Sequence, residues 1–300
     1  MKLLIHADDF GNSKSITDDI LECFLKSASL SGTSIIPNGH AFDYAIARFD
    51  TTRSDRRLGV HINLLEGHPC LPPNEIPFLV DKDGYFRHSF LSLGVAYYLS
   101  REKRVEIARQ VKAEIAAQID KVRRKVADGG SLNIDSHQHF HMIPFVFKLI
   151  VELKDEFCIG YIRIPREQIF FQFDRNSIPN YLGMNLIKHV LLNYLSGKCV
   201  RYLQGTDIRY PDYFVGVLFT GNMTLPCIDK ALSVLEKKRN ASDLVVEILF
   251  HPGGAVVNET SQWSKYPKLK GYYLSSNRHR EKTILMSDEF SSLLKRYTSD

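Results

Sequence analysis

Short apolar runs alternate with longer amphipathic segments along most of this chain. Residues 2–7 and Arg57–Ile62 are brief apolar runs, which predict buried strands. Residues 13–28 and 101–127 repeat apolar side chains at three- and four-residue steps, which predicts helices. Further strands are expected at residues 32–36, 132–134, 161–164 and 244–250, and further helices at residues 41–49, 144–153, 185–195, 228–238 and 287–297.

The alternation of strand and helix predicts an α/β fold with a parallel sheet. We expect a distorted (β/α) barrel, in which the active site lies at the carboxyl ends of the strands. An open doubly wound sheet, the alternative architecture, would also use the carboxyl ends of its strands. One region breaks the pattern. Residues 66–91 hold four prolines and two glycines, which predicts a long loop inserted into a single domain that covers residues 1–300.

Composition narrows the class of protein. A hydrophobic content of 44% and a charged content of 24% are typical of a globular protein, and the net charge of +5 comes from scattered basic residues. That scatter favours a solvated surface over a nucleic-acid interface. Five widely spaced cysteines without a CxxC pair fit a reducing cytoplasm better than a disulfide framework. With no signal-peptide pattern and no run of about 18 apolar residues, we expect a cytoplasmic protein without a membrane span.

Acids and histidines stand where four of the apolar runs end. They are Asp8 and Asp9 after the first run, His61 in the third, residues 135–141 after residues 132–134, and His251 after the last. Carboxylates and imidazoles are ligands that divalent cations prefer, and they also transfer protons near neutral pH. Two adjacent acids at a buried strand end repel each other unless a cation is present or one is protonated, which favours a metal site.

The segment 135–141 is the strongest of these signals. It packs three of the 11 histidines and Asp135 into seven residues. If the chain stays extended there, His137, His139 and His141 lie on one face, because alternate residues of a strand point the same way.

Each of these signals has a structural alternative. Asp8-Asp9 can form a turn with a cap for the following helix. A lone histidine such as His61 is more often a hydrogen-bonded core residue, and His251 before Pro-Gly-Gly can belong to a turn. The remaining histidines lack comparable context and are expected to be structural or exposed, namely His6, His40, His68, His88, His189 and His279.

Four motifs occur in order between residues 7 and 253. They are Ala7-Asp8-Asp9-Phe10-Gly11, Gly59-Val60-His61-Ile62-Asn63-Leu64, Asp135-Ser136-His137-Gln138-His139-Phe140-His141-Met142 and His251-Pro252-Gly253. Together they resemble the motifs of the YdjC-like carbohydrate deacetylases, which include the chitooligosaccharide deacetylases. The resemblance implies a distorted (β/α) barrel related to polysaccharide deacetylases, and one divalent metal ion, Mg²⁺ or Zn²⁺.

The resemblance also implies roles for single residues. Asp9, His61 and His137 would be the metal ligands, Asp8 the general base and His251 the general acid. The reaction would be metal-dependent removal of the acetyl group from an N-acetylated amino sugar or oligosaccharide. A homodimer is an expectation at the level of the family.

Five further polar residues near the motifs are candidates for substrate binding or for support of the metal ligands. Asp135 is placed to orient a ligand histidine. Arg163 and Arg166 would orient the general base or bind sugar hydroxyls, with a surface ion pair as an equal alternative. His139 and His141 match family positions without an assigned role.

Two other functions are alternatives to a deacetylase, and the aromatic residues allow two interpretations. A metal-dependent phosphoesterase on a similar barrel would usually need more carboxylates than the three acids at the motifs. A non-catalytic sugar-binding protein with a closed structural metal site would need a fourth protein ligand. The aromatic side chains that would either stack on a sugar or pack in the core are in residues 170–173 and at Tyr210, Tyr213 and Trp263.

Overall fold

Seven parallel strands form the centre of the computed structural model, which describes residues 1–27, 29–49, 56–126, 130–172 and 178–298. The strands are β1 (Lys2–Phe10), β2 (Gly32–Ile35), β3 (Arg57–Ile62), β4 (Leu132–Ser136), β5 (Ile159–Ile162), β6 (Tyr213–Val215) and β7 (Val245–Phe250). Their order in the sheet is β5-β4-β3-β2-β1-β7-β6, so the first strand lies in the middle. Every strand therefore ends at the same edge of the sheet, which can gather their terminal side chains in one place.

The two outer strands of the sheet are joined through the segments that flank them. The Ile162 backbone N–H donates to the Arg209 carbonyl at 3.0 Å, and the Phe214 N–H donates to the Arg166 carbonyl at 2.8 Å. These bonds curl the sheet towards closure between β5 and β6. The α/β fold with a distorted barrel that the sequence predicts is confirmed.

Helices surround the sheet, and the longer ones bury apolar side chains against it or against one another. They are α1 (Lys14–Lys26), α2 (Phe42–Ile46), α3 (Phe90–Leu99), α4 (Arg104–Arg123), α5 (Pro144–Glu152), α6 (Lys154–Phe157), α7 (Ile178–Leu182), α8 (Met184–Cys199), α9 (Leu225–Glu236), α10 (Pro267–Tyr273), α11 (Ser276–Leu285) and α12 (Asp288–Lys295). In α1 the predicted periodicity buries Ile16, Ile20 and Phe24, and the Ser13 side chain caps the helix by accepting from the Ile16 N–H. Pro144 begins α5, as the sequence predicts.

Several elements were not predicted from the sequence. The helices α3, α6, α7, α10 and α11 and the short strand β6 were not predicted. The sequence of α3 lacks an amphipathic pattern, and β6 has only three residues. The predicted helix 101–127 corresponds to α4, which begins at Arg104 and ends at Arg123. Ala127 lies outside the described residues.

The predicted loop at residues 66–91 runs as far as Ser89, where α3 is capped. Side chains of α4 hold it in place: the Glu114 carboxylate accepts from the Cys70 and Leu71 N–H groups, and Gln110 Oε1 accepts from the Phe78 N–H.

The histidine segment after β4 is not extended, so that expectation was wrong. His137–Met142 forms a tight 3₁₀ turn, with φ of 49° at Gln138 and 58° at His139. Left-handed backbone at two successive residues ends the alternation of a strand. His137, His139 and His141 consequently have three different environments instead of sharing one face.

The structure contains no helix, within the part of the chain that it describes, that is both long and apolar enough to cross a membrane.

Candidate active site

Two successive carboxylates reach the same edge of the sheet because the end of β1 is irregular. Asp8 and Asp9 belong to the strand itself, which runs to Phe10. In a regular strand their side chains would point to opposite faces. Asp9 has φ of 72°, and the β1–β2 register shifts between Ala7 and Phe10, so the alternation is interrupted there. This local strain is the kind that clusters at functional sites.

Asp9, His61 and His137 lie close together and form a candidate metal-binding group. Each offers one ligand atom, and these atoms lie within 4.8 Å of one another. Asp9 Oδ1 is 3.8 Å from His61 Nε2 and 3.4 Å from His137 Nδ1. It is buried and has no hydrogen-bond partner among the described residues. One carboxylate oxygen and two imidazole nitrogens fit a divalent cation and match the sets found in catalytic zinc sites.

The far nitrogen of each histidine faces a buried acid, as is usual for metal-binding histidines. His61 Nδ1 is 2.6 Å from Asp135 Oδ1, and His137 Nε2 is 3.4 Å from Glu66 Oε1. Tyr273 Oη donates to the same Glu66 oxygen at 2.6 Å. Asp135 was predicted for this position; Glu66 and Tyr273 were not, because nothing in their local sequence marks them.

His61 lies in a strongly negative environment. Burial disfavours its charged form, but Asp8, Asp135 and Asp9 outweigh that effect and raise the pKa of the imidazole to about 9. A cation at Nε2 would compete with this proton, because a ligand histidine must be neutral.

Arg163 is fully buried inside the barrel and pairs with three carboxylates. It donates to both Asp8 oxygens at 2.8 and 2.9 Å, to Asp135 at 2.8 Å and to Glu247 at 2.7 Å. Burial opposes ionisation of Asp8, yet the Arg163 charge holds the pKa of that carboxyl well below its usual range. The surface ion pair considered for Arg163 does not occur. Arg166 lies apart from this group and donates to the Asp212 carbonyl.

Arg278 on α11 is a second buried cation at the site. Its guanidinium donates to Asp9 Oδ2 at 2.7 Å and to the Gly253 carbonyl at 2.6 Å, which ties β1 to the loop after β7. Burial opposes ionisation of Asp9, but the Arg278 charge brings the pKa of Asp9 well below its usual range. The second oxygen of Asp9, Oδ1, faces the two histidines. Sequence reasoning missed Arg278 because α11 was not predicted.

His251 lines one cavity together with Asp8, His61 and His137. The cavity has a volume of about 310 Å³ and is the place where a substrate can meet these groups. The His251 backbone N–H donates to Glu281 at 2.7 Å, which fixes the start of the loop. Burial lowers the pKa of His251 to about 4, so its ring is neutral at pH 7.

The other two histidines of the 137–142 turn differ from each other. His139 lines the cavity, and its Nδ1 has no hydrogen-bond partner among the described residues. His141 is buried beneath the site, where Ser136 Oγ lies 2.5 Å from Nδ1 and the Arg163 carbonyl lies 2.9 Å from Nε2. His139 is therefore available to a ligand, whereas His141 braces β4 against β5.

His141 should make stability depend on pH. Burial lowers its pKa from 6.5 to about 4, so between these values the unfolded chain binds a proton that the folded protein does not. The stability that this group contributes is complete well above pH 6.5 and is lost as pH falls. Between pH 6.5 and pH 5 the loss is about 1.5 kcal/mol, because the slope reaches about 1.36 kcal/mol per pH unit only once the unfolded imidazole is fully protonated. Urea unfolding at pH 6.5 and pH 5 measures the free energy of unfolding. It should fall less between these pH values in His141→Gln than in the wild type, and an equal fall would contradict this role of His141.

His6, Asp8 and Asp135 form a second group of possible metal ligands. His6, expected to be structural or exposed, has Nε2 3.6 Å from Asp8 Oδ1 and 3.4 Å from Asp135 Oδ2. Arg163 already neutralises both carboxylates at shorter distances. The group around Asp9 is therefore the better candidate for a cation.

Of the aromatic residues named from the sequence, Phe170 and Trp263 pack in the core, whereas Phe171 is exposed. Phe170 stacks on Phe219 with ring centroids 5.3 Å apart, and the Trp263 ring lies 4.4 Å from that of Tyr273. The Tyr213 ring is next to the Arg166 guanidinium, away from the cavity lining. Phe173 lies outside the described residues.

Known proteins resemble this chain in sequence and in fold. A carbohydrate deacetylase of Danio rerio is 27% identical over 84% of this chain and 82% of its own length, and one of Homo sapiens is 26% identical over 89% and 79%. A solved structure from Enterococcus faecalis V583, described as a cellobiose-phosphate cleavage protein, has the same fold, with a TM-score of 0.66 at 21% identity over 99% of this chain and 94% of that one. The model of the family described as YdjC-like protein matches residues 2–296. The resemblance seen in the sequence is thereby confirmed, and the chain belongs to the YdjC-like protein family.

Proposed function

We propose that this chain is a metal-dependent hydrolase that removes the acetyl group from an N-acetylated amino sugar. The observation that carries the proposal is the convergence of Asp9, His61 and His137 beside Asp8 at one cavity. The shared name of the relatives, carbohydrate deacetylase, supports the same substrate class. Mg²⁺ or Zn²⁺ as the cation, a cytoplasmic location and a homodimer belong to the proposal as well.

Asp8 acts as the general base. Asp9, His61 and His137 would hold the cation, which when bound polarises the acetamide carbonyl and lowers the pKa of a nearby water molecule. Arg163 keeps Asp8 ionised and fixes the plane of its carboxylate. Asp8 takes the proton from the water as the water oxygen attacks the acetyl carbon.

The departing amine needs a proton, and His251 supplies it. Because its ring is neutral at pH 7, His251 donates only after it has gained a proton during the reaction. Asp8 has a low pKa and gives up its proton readily, and both side chains line the cavity. The proton passes from Asp8 by way of His251 to the amine nitrogen as the C–N bond breaks. The products are a free amine and acetic acid, which then loses its proton to solvent and becomes acetate.

Acetate release tests the proposal. Purified protein is incubated with N,N′-diacetylchitobiose and either a divalent cation or a chelator, and acetate is measured with a coupled enzyme assay. We expect release that requires the cation and is lost in His137→Ala. Hydrolysis of p-nitrophenyl phosphate without acetate release would favour the phosphoesterase, and cation-dependent sugar binding without either product would favour a binding protein.

Replacing Asp135 with asparagine should weaken the binding of Zn²⁺ by ~10- to 100-fold, the usual effect of losing such a partner. The amide is a poorer acceptor for His61 Nδ1–H than the carboxylate it replaces. Competition against a chelating dye gives the affinity. Asp155→Asn on α6, where the acid is exposed, is the matched control and should bind as the wild type does. Equal affinities for the two variants would show that Asp135 does not support the ligand.

A further inference from the structure

The walls of the catalytic cavity come from two helices that flank its mouth. Phe90 and Leu91 at the start of α3 form one side, and Met184, Ile187 and Leu191 of α8 form the other. These side chains are apolar, although Asn185 and Lys188 of α8 also line the cavity. A substrate whose acetamide reaches the candidate catalytic groups therefore passes apolar side chains of both helices on its way out.

The same two helices stay side by side beyond the cavity. A second cavity is lined by Tyr98 near the end of α3 and by Lys198 near the end of α8. Pro144, Arg201 and Tyr202 complete the lining of this second cavity. The two helices thus have a cavity between them near the start of each helix and another near its end, and we take the surface between the two cavities as one groove. The ten residues of α3 make this groove ~15 Å long at 1.5 Å per residue.

Both helices turn apolar side chains to the outside along this groove. On α3, Leu91 is 65% exposed and Val95 is 54% exposed, and they share a face because they are four residues apart. On α8, Ile187 is 60% exposed and Tyr194, seven residues later, is 60% exposed. The sequence of α3 contains no charged residue, which is unusual for a helix at the surface. Several exposed apolar side chains grouped beside a cavity mark a place where a ligand or partner binds.

We propose that the substrate is an amphiphile, an N-acetylated amino sugar linked to a long alkyl or lipid group that lies in the groove between α3 and α8. This inference rests on the proposed deacetylase function and names its substrate class. The sugar occupies the cavity with its acetamide at the base, and the apolar group runs outward along Leu91, Val95 and Ile187. Each methylene that leaves water there contributes to binding.

Two other occupants fit the groove less well. The outer sugars of a long oligosaccharide would place hydroxyl groups on aliphatic side chains that cannot hydrogen-bond to them, which costs free energy. A second copy of the chain covering both helices would rest on Leu91 and Ile187, which also line the cavity mouth, and would close it to substrate.

A series of glycosides of N-acetylglucosamine tests the inference. The methyl, butyl and octyl glycosides are compared by kcat/KM for acetate release, each below its critical micelle concentration. We expect kcat/KM to rise with chain length, to at least ~10-fold for octyl over methyl. Val95→Ser and Ile187→Ser should reduce this ratio. Leu25→Ser, a change at a 78% exposed leucine on α1, should leave it unchanged.

The outcomes separate the two proposals. Acetate from all three glycosides with equal kcat/KM would overturn the amphiphile and leave the deacetylase standing. Acetate from none of them, nor from N,N′-diacetylchitobiose, would overturn both. A dimer in light scattering that Ile187→Asp converts to a monomer would assign the apolar face to a second copy and so overturn the inference.

Discussion

Replacing Asp8 with asparagine should lower kcat for acetate release by ~10²- to 10⁴-fold, the range in which a positioned base contributes. The amide has nearly the same shape but cannot accept the proton from water. Asp8 is not in the group of Asp9, His61 and His137, so the variant should still bind the cation. The measurements are kcat and a Zn²⁺ titration of the same preparation.

The titration also serves as the control for folding in that experiment. Asp18→Asn, a change at an exposed acid on α1 that accepts from Tyr44, is the matched substitution and should keep the wild-type kcat. An Asp8→Asn protein that binds Zn²⁺ normally and releases acetate at the wild-type rate would show that another group takes the proton.

Replacing Arg163 with methionine should lower the free energy of unfolding by about 3–5 kcal/mol, the usual cost of removing one partner from a buried ion pair. The change leaves Asp8, Asp135 and Glu247 close together without their shared cation. Loss of the Arg163 charge should also raise the pKa of Asp8 and that of Asp135, so the loss of stability should shrink at low pH, where these two carboxylates become protonated. Urea unfolding followed by circular dichroism measures both effects.

Arg166→Met is the matched control for that substitution. Arg166 donates to one backbone carbonyl and is half-buried, so its loss should cost much less than that of Arg163. A loss of less than about 1 kcal/mol in Arg163→Met, the value of an exposed pair, would contradict the role of Arg163 as the central cation of the barrel.

The sequence predicts the parts of the site that follow apolar runs. Asp9, His61 and His137 each stand at the end of a strand with a strong apolar pattern, and parallel strands bring such ends together. The helices α1 and α4 could also be predicted, because each buries side chains that recur at three- and four-residue steps.

Other parts depend on contacts that local patterns do not encode. Glu66 lies in a loop and Arg278 on a helix of weak amphipathicity, and both reach the site only through the tertiary fold. The backbone is left-handed at Gln138 and His139, and because neither residue is a glycine the sequence does not predict this conformation. Arg163 and Arg166 look equivalent in sequence, and only the position at which β5 ends decides that Arg163 points into the barrel.

The position of a bound metal ion tests the central claim most directly. Crystals soaked in Zn²⁺ are measured at the zinc absorption edge, and the anomalous difference map gives the site independently of activity. We expect one strong peak bounded by Asp9 Oδ1, His61 Nε2 and His137 Nδ1. A peak between His6 and Asp135 instead, or none near Asp9, would contradict the assignment of these three residues as the metal ligands.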